Sequence, residues 1–310
     1  MTPPTGGTPT TTYTDARGRK IELRQYNNTT PTGDHIATRY TYDPADRLVQ
    51  VTGPGGHQWT STYDTRGRKS RTTDPDKGTT QYGYDTLDRL IWTQDSRGHR
   101  GKVFHDYDAL GRKLRTYAAD SAGEKGELIA LWGYDTVQAG KQSFASRRAP
   151  GPDGTIREYK VRADAYDLMG RPTQTSVIIP EGESGLANTY QFTTVYNIDG
   201  TVQSHSLPAA GDLPAETLVT SYDEFKRPVK LTGISPYVTG TGYGNIGRLD
   251  SMVLSSGGPA IYQSYGYDPA TGRMTNHAVL RQDIDGPVRD TTYTHDDAGN
   301  IRQITDKASS

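Results

Sequence analysis

Aspartate, arginine and tyrosine recur side by side along this chain. A carboxylate can carry a proton, a guanidinium can hold an anion, and a phenol ring can stack on a sugar. In TTQYGYDTLDRLIWTQ, residues 79–94, they stand as Tyr84, Asp85 and Arg89. The phrase returns as Tyr42, Asp43 and Arg47, as Tyr63, Asp64, Gly67 and Arg68, and as Tyr107, Asp108, Gly111 and Arg112. It comes again as Tyr166, Asp167, Gly170 and Arg171, as Tyr222, Asp223 and Arg227, and as Tyr267, Asp268, Gly272 and Arg273. Catalysis needs one distinguished constellation, but with acids on turn after turn no pair separates as acid and base. A G-x-S-x-G nucleophile elbow is also missing. The expectation is therefore a repeated structural motif, with no catalytic, metal-binding or cofactor-binding residue, in a protein that is not an enzyme.

Other chemical motifs weaken in context. Gly242-Tyr243-Gly244-Asn245-Ile246-Gly247 matches a dinucleotide-binding G-x-G-x-x-G. No buried strand precedes it and no helix follows it, and its Tyr and the next Arg248 align with the repeated phrase. His35, His57, His99, His105, His205, His277 and His295 show neither HExxH nor i, i+4 pairing. Asp74-Pro75-Asp76-Lys77-Gly78 and Asp283-Ile284-Asp285-Gly286 have the flavour of calcium loops but lack the later bidentate Glu. Rows of Tyr beside Asp, Asn and Arg suit carbohydrate recognition, an alternative set against the same Tyr holding neighbouring hairpins together. Cell-wall repeats of similar length lean on Trp, of which only Trp59, Trp92 and Trp132 occur.

Composition narrows the class. Only 32% of the 310 residues are hydrophobic, too few for one large packed core, yet 21 Tyr and a net charge of -1 do not fit a disordered chain. With 35 basic against 36 acidic residues and no block of one sign, neither nucleic acid nor an anionic membrane surface is expected as a partner. No cysteine is present, which removes disulfides, thiol nucleophiles and thiolate metal sites. No apolar run is long enough to span a membrane as a helix, and MTPPTGGTPT lacks the basic and apolar regions of a signal peptide.

The elements that must carry these residues follow from the spacing. Tyr42, Tyr63, Tyr84 and Tyr107 are 21, 21 and 23 residues apart. Degenerate copies at Tyr134, Tyr196, Tyr243 and His295, with a weaker one at Thr14 to Arg19, extend about a dozen units over nearly the whole chain. Thr, Tyr and Val alternate before each phrase, and a short strand-forming run such as Leu48 to Thr52 follows it. Asp-x-x-Gly between them specifies a type I turn closed by a residue of positive φ, hence a hairpin. Beyond Gly67, alternation sets Arg68, Ser70 and Thr72 on one face and Lys69, Arg71 and Thr73 on the other, so neither face can line a core. Tyr40 with Tyr42, Tyr82 with Tyr84 and Tyr265 with Tyr267 share faces and could stack into an aromatic ladder between repeats. Asp43 with Arg47, or Asp108 with Arg112, would brace the turn. The expected fold is all-β: tandem hairpins forming one long, strongly curved, spiralling antiparallel sheet over residues 1–310. Longer, irregular hairpins are expected at about 117–164 and 179–216, and disorder at 1–10.

YDPADRLVQVT, YDALGRKL, YDLMGRP, YDPATGRM and HDDAGNIRQITD together resemble the YD-repeat family: bacterial Rhs proteins, the C components of insecticidal toxin complexes and the extracellular part of teneurins. The resemblance implies a sheet that spirals into a hollow shell, in bacterial members a shell enclosing a C-terminal toxin. Such members close the shell with an autoproteolytic segment containing Asp-Pro-x-Gly. Here Asp43-Pro44, Asp74-Pro75 and Asp268-Pro269 are the only Asp-Pro steps, and none continues as x-Gly. The expectation is repeat region alone, part of a larger secreted or cell-surface bacterial protein. Its expected partners are further repeats and a C-terminal toxin domain, with glycans and edge-to-edge self-association as further options and no cofactor.

Overall fold

The computed structural model describes residues 9–28, 30–296 and 299–308. Among them no α-helix occurs, and apart from one 3₁₀ turn at Gly98–Gly101 every regular element is a strand. The chain divides into two compact units, Met1–Gly133 with Ala145–Glu158 and Tyr134–Phe144 with Tyr159–Ser310.

The first unit opens with β1 (Thr10–Thr14), β2 (Lys20–Tyr26), β3 (His35–Tyr42), β4 (Leu48–Thr52), β5 (Gln58–Tyr63) and β6 (Lys69–Asp74). It continues through β7 (Gly78–Tyr84), β8 (Leu90–Gln94), β9 (Lys102–Tyr107), β10 (Lys113–Ala119) and β11 (Lys125–Tyr134). Each strand from β1 to β10 pairs antiparallel with the next. The chain then runs through β12 (Gln142–Pro150) and β13 (Ile156–Tyr166). In the second unit follow β14 (Pro172–Ile179), β15 (Asn188–Tyr196), β16 (Val202–Leu207), β17 (Glu216–Tyr222), β18 (Pro228–Thr232) and β19 (Val238–Tyr243). The last are β20 (Leu249–Leu254), β21 (Ile261–Tyr267), β22 (Met274–Arg281), β23 (Pro287–His295) and β24 (Ile301–Asp306). From β13 onward each again pairs antiparallel with its successor. All-β tandem hairpins are thus the architecture of both units.

The four-residue motif turns all close in the same way. The Asp64 amide donates to the Arg68 carbonyl at 2.9 Å and the Gly67 amide to the Asp64 carbonyl at 3.0 Å, with Gly67 at φ 83°. This is a type I turn whose last residue is left-handed. Asp46, Asp88 and Lys226 occupy that position without being glycine, at φ 65°, 63° and 62°. Asp tolerates it through its short polar side chain, while Lys226 is a more strained choice.

A bulge follows each of these turns. Thr62 faces Arg71 but Tyr63 faces Lys69, so Ser70 has no opposite residue. The register steps identically at Thr41/Tyr42, Gly83/Tyr84, Ser221/Tyr222 and Gly266/Tyr267. Strict alternation from Arg68 to Thr73 is therefore interrupted: an extra residue in one strand swaps the faces beyond it, and Ser70 Oγ meets Thr62 Oγ1 at 3.0 Å.

Little is buried. Among the described residues Tyr26 is the one large apolar side chain below 9% exposure, and the accessible surface is 19452 Å². A globular protein of this mass would expose about 13,000 Å². Cohesion rests on hydrogen-bond ladders and on contacts between polar and aromatic side chains. The irregular stretch 117–164 holds the longest strands, β11 and β13 at 10 and 11 residues. Residues 1–8 of the segment expected to be disordered lie outside the described residues. Pro9 and Thr10 depart from that expectation: Pro9 is buried and its carbonyl accepts the Tyr26 amide at 3.1 Å, and Thr10 opens β1.

Candidate functional site

The repeated Asp anchors each turn with both carboxylate oxygens. In the turn from Asp64, Oδ1 accepts the amides of Arg66 and Arg68 at 2.9 Å each, and Oδ2 accepts Arg68 Nε at 2.7 Å. Asp15 with Arg19, Asp43 with Arg47, Asp85 with Arg89, Asp108 with Arg112, Asp167 with Arg171 and Asp223 with Arg227 repeat this geometry, with Nε to Oδ2 at 2.6–2.7 Å. The pattern is local because a side-chain oxygen one turn away can reach only the amides at i+2 and i+4.

These carboxyls sit below the ordinary Asp range. For Asp15 the largest cause is the Arg19 guanidinium, and for Asp43 and Asp167 it is the amide of the Arg four residues on. For Asp64, Asp85, Asp108 and Asp223 desolvation is the largest single influence and pushes upward, but the amide and guanidinium bonds together outweigh it.

The same arginine also reaches forward. Nη1 of Arg47, Arg68 and Arg89 donates to the carbonyls of Asp64, Asp85 and Asp108, at 3.2, 3.1 and 3.0 Å. Its guanidinium covers the next tyrosine: Arg47 lies 4.9 Å from the Tyr63 ring centre, Arg68 4.7 Å from Tyr84 and Arg89 5.2 Å from Tyr107. In the second unit Arg171 covers Tyr196 at 4.2 Å and Arg227 covers Tyr243 at 4.6 Å.

The tyrosine reaches back. Tyr63, Tyr84 and Tyr107 donate their hydroxyls to the carbonyls of Leu48, Lys69 and Leu90, the residues just after the preceding motif arginines, at 2.8, 2.8 and 2.7 Å. Tyr42, Tyr166, Tyr222 and Tyr267 bond in the same way to Lys20, Gln142, Val202 and Leu249. Each motif thus holds its own turn with Asp, the next repeat with Arg and the previous one with Tyr. Partial burial raises the Tyr84 and Tyr107 phenols above their usual range.

A ladder of tyrosine on tyrosine is not what forms between these motifs, because a guanidinium is interleaved at each step. Of the second set of tyrosines, Tyr82 meets Thr72 Oγ1 at 3.1 Å and Tyr265 stacks on His277 with ring centres 4.8 Å apart. The motif at Asp268 departs from the others. Its turn is one residue longer, Oδ1 accepts the Thr271 amide and hydroxyl at 2.7 and 2.8 Å, and Arg273 Nη1 donates to the Asp296 carbonyl at 2.7 Å.

Residues 22–58 and 42–79 match the RHS Repeat family model. Among curated proteins no match is found. Among solved structures, the crystal structure of TcdB2-TccC3 is similar over 98% of this chain, with a TM-score of 0.77 and 18% identity. The Photorhabdus luminescens Tc holotoxin pore with a mutated TccC3 is similar over 98%, with a TM-score of 0.76 and 18% identity. This chain carries RHS repeats over residues 22–79 and shares the fold of those solved structures. It spans 16% and 15% of those two solved chains.

The Gly242 to Gly247 sequence closes a hairpin of the same kind as the other motif turns. The Gly247 amide donates to the Gly244 carbonyl at 2.8 Å and Tyr243 Oη to the Pro228 carbonyl at 2.8 Å. Asp74 caps its own turn through the amides of Asp76 and Lys77 at 2.9 and 3.0 Å. The described residues contain no group of three or more His, Asp or Glu placed to hold a metal ion. His105 and His205 turn their Nδ1 atoms to Thr116 and Thr194 across the sheet at 3.0 Å each.

Sequence reasoning missed the residues in left-handed turn positions. Asp46 receives Arg17 and Arg19 of the preceding repeat, and Asp88 receives Arg66 at 2.9 Å and Arg68 at 2.6 Å. Asp standing where sister repeats have Gly was the available signal.

Proposed function

We propose that this YD-repeat region is a structural wall segment of a larger bacterial polypeptide, secreted or displayed at the cell surface, whose repeats enclose a C-terminal toxin. The observation that carries the reading is the lattice itself: the same Asp, Arg and Tyr contacts recur from turn to turn, and among the described residues no copy is set apart as a site. A wall needs many equal joints, whereas a catalyst needs one unequal cluster. The fold shared with TcdB2-TccC3 chains over 98% of this chain supports it. The motif tyrosines direct their hydroxyls to backbone carbonyls, and several rings are covered by guanidinium groups. That leaves no specific observation in favour of glycan binding.

The test is protease protection in the full native polypeptide. Expected is a C-terminal segment resistant to trypsin while the repeats are intact, and cleaved promptly when Arg68 and Arg89 are both replaced by Gln. A C-terminal segment equally accessible in both proteins would refute enclosure.

A further inference from the structure

In the second unit the motif turns carry large apolar side chains at their tips, where a type I turn points its middle residues outward. Leu168 and Met169, then Ile198, Phe225 and Ile246, occupy four successive turns, and exposure ranges from 68% at Phe225 to complete at Ile198. Each turn joins two antiparallel neighbours, β13 to β14, β15 to β16, β17 to β18 and β19 to β20, so all four lie along one edge, two strands apart. Two strands make a step of about 9.6 Å. The turns are held by backbone and Asp bonds, and of these side chains Phe225 also lies beneath the Arg227 guanidinium, which is 4.9 Å from its ring centre. Together they expose on the order of 600 Å² of apolar surface, a patch size that marks an interaction surface and approaches the roughly 800 Å² per partner of a stable interface.

We propose that this row of turn tips is a dimerisation edge, on which a second copy of the chain seats its own row antiparallel. Two features single out that occupant. A partner offering apolar groups at the same interval is another tandem-hairpin edge, and a two-fold interface uses one patch on both sides. Charge agrees: in neighbouring turns Asp199 and Lys226 stand 3.5 Å apart. A two-fold axis between those turns sets Asp199 opposite the partner's Lys226 and Lys226 opposite the partner's Asp199. The same axis brings the Leu168–Met169 turn opposite the partner's Ile246 turn. This goes beyond the wall reading and can fail without it.

Sedimentation velocity over a concentration series tests it. The intact chain is expected to dimerise, and Ile198→Asp with Ile246→Asp to weaken the dimer about tenfold or more with an unchanged melting temperature. Mixing an Asp199→Lys chain with a Lys226→Asp chain is expected to yield heterodimer in preference to either homodimer. A chain monomeric throughout the series overturns the proposal. So does a dimer indifferent to the tip substitutions, which would assign the contact to an outer strand edge instead.

Discussion

Replacing Tyr63, Tyr84 and Tyr107 together by Phe removes three hydroxyls and leaves the rings beneath Arg47, Arg68 and Arg89. Each hydroxyl bonds a backbone carbonyl of the previous repeat at 2.7–2.8 Å. A neutral hydrogen bond of this kind contributes about 1 kcal/mol net. The three joints lie two strands apart, about 10 Å, far enough to add, so the triple variant should lose about 3 kcal/mol. In a cooperative unit of this size that lowers the melting temperature by roughly 6–12 °C. Urea unfolding is the assay, with the midpoint expected to fall at constant slope. The pH profile supplies an independent check. A phenol raised in the folded state, as Tyr84 and Tyr107 are, stabilises below its unfolded value near 10, and that stability is lost as pH rises through the folded value. The Phe variant should lack this alkaline loss. A total change under about 0.5 kcal/mol would refute the reasoning, because water would then serve these carbonyls as well as the phenols do.

Gly67→Val and Gly111→Val should each destabilise by about 1–2 kcal/mol through left-handed backbone strain alone, since a Cβ meets no atom closer than 3.8 Å at either site. Unchanged denaturation midpoints would show that the turns can re-form. Gly83→Ala should cost about 1–3 kcal/mol by overpacking, because a Cβ there would lie 1.9 Å from Trp92 Nε1; thermal melts measure it. The depressed Asp carboxyls contribute stability above their unfolded value near 3.9 that is lost as pH falls through the lower folded values. Acid unfolding should therefore begin near pH 4 and be shallower in Asp85→Asn, and a flat stability between pH 5 and 3 would contradict it. His105 has the same sign in another window: burial first, then Lys113, lowers its affinity for a proton, so stability should slip as pH falls below about 6.5, and less so in His105→Gln.

The amino-acid sequence by itself determined what is local. Asp85 and Arg89 are four residues apart, and the turn between them needs only their own amides and side chains, so turn, hairpin and all-β class were legible from Tyr84 to Gln94. The repeat spacing likewise carried the alignment of one motif with the next. What joins repeats was decided by tertiary structure. Arg68 meets Tyr84, and Tyr84 meets Lys69, because β6 pairs with β7 in the register that sets Arg71 opposite Gln81, and no pattern of alternating residues announces that register. Asp46 and Asp88 became acceptors for two guanidinium groups for the same reason, since neighbouring turns are brought side by side by strand pairing across 20 residues or more of chain. Exposure of Leu168, Ile198 and Phe225 was also undecided by residue type. An apolar side chain faces solvent or a core according to where its turn sits in the sheet, and here the turns stand at an edge.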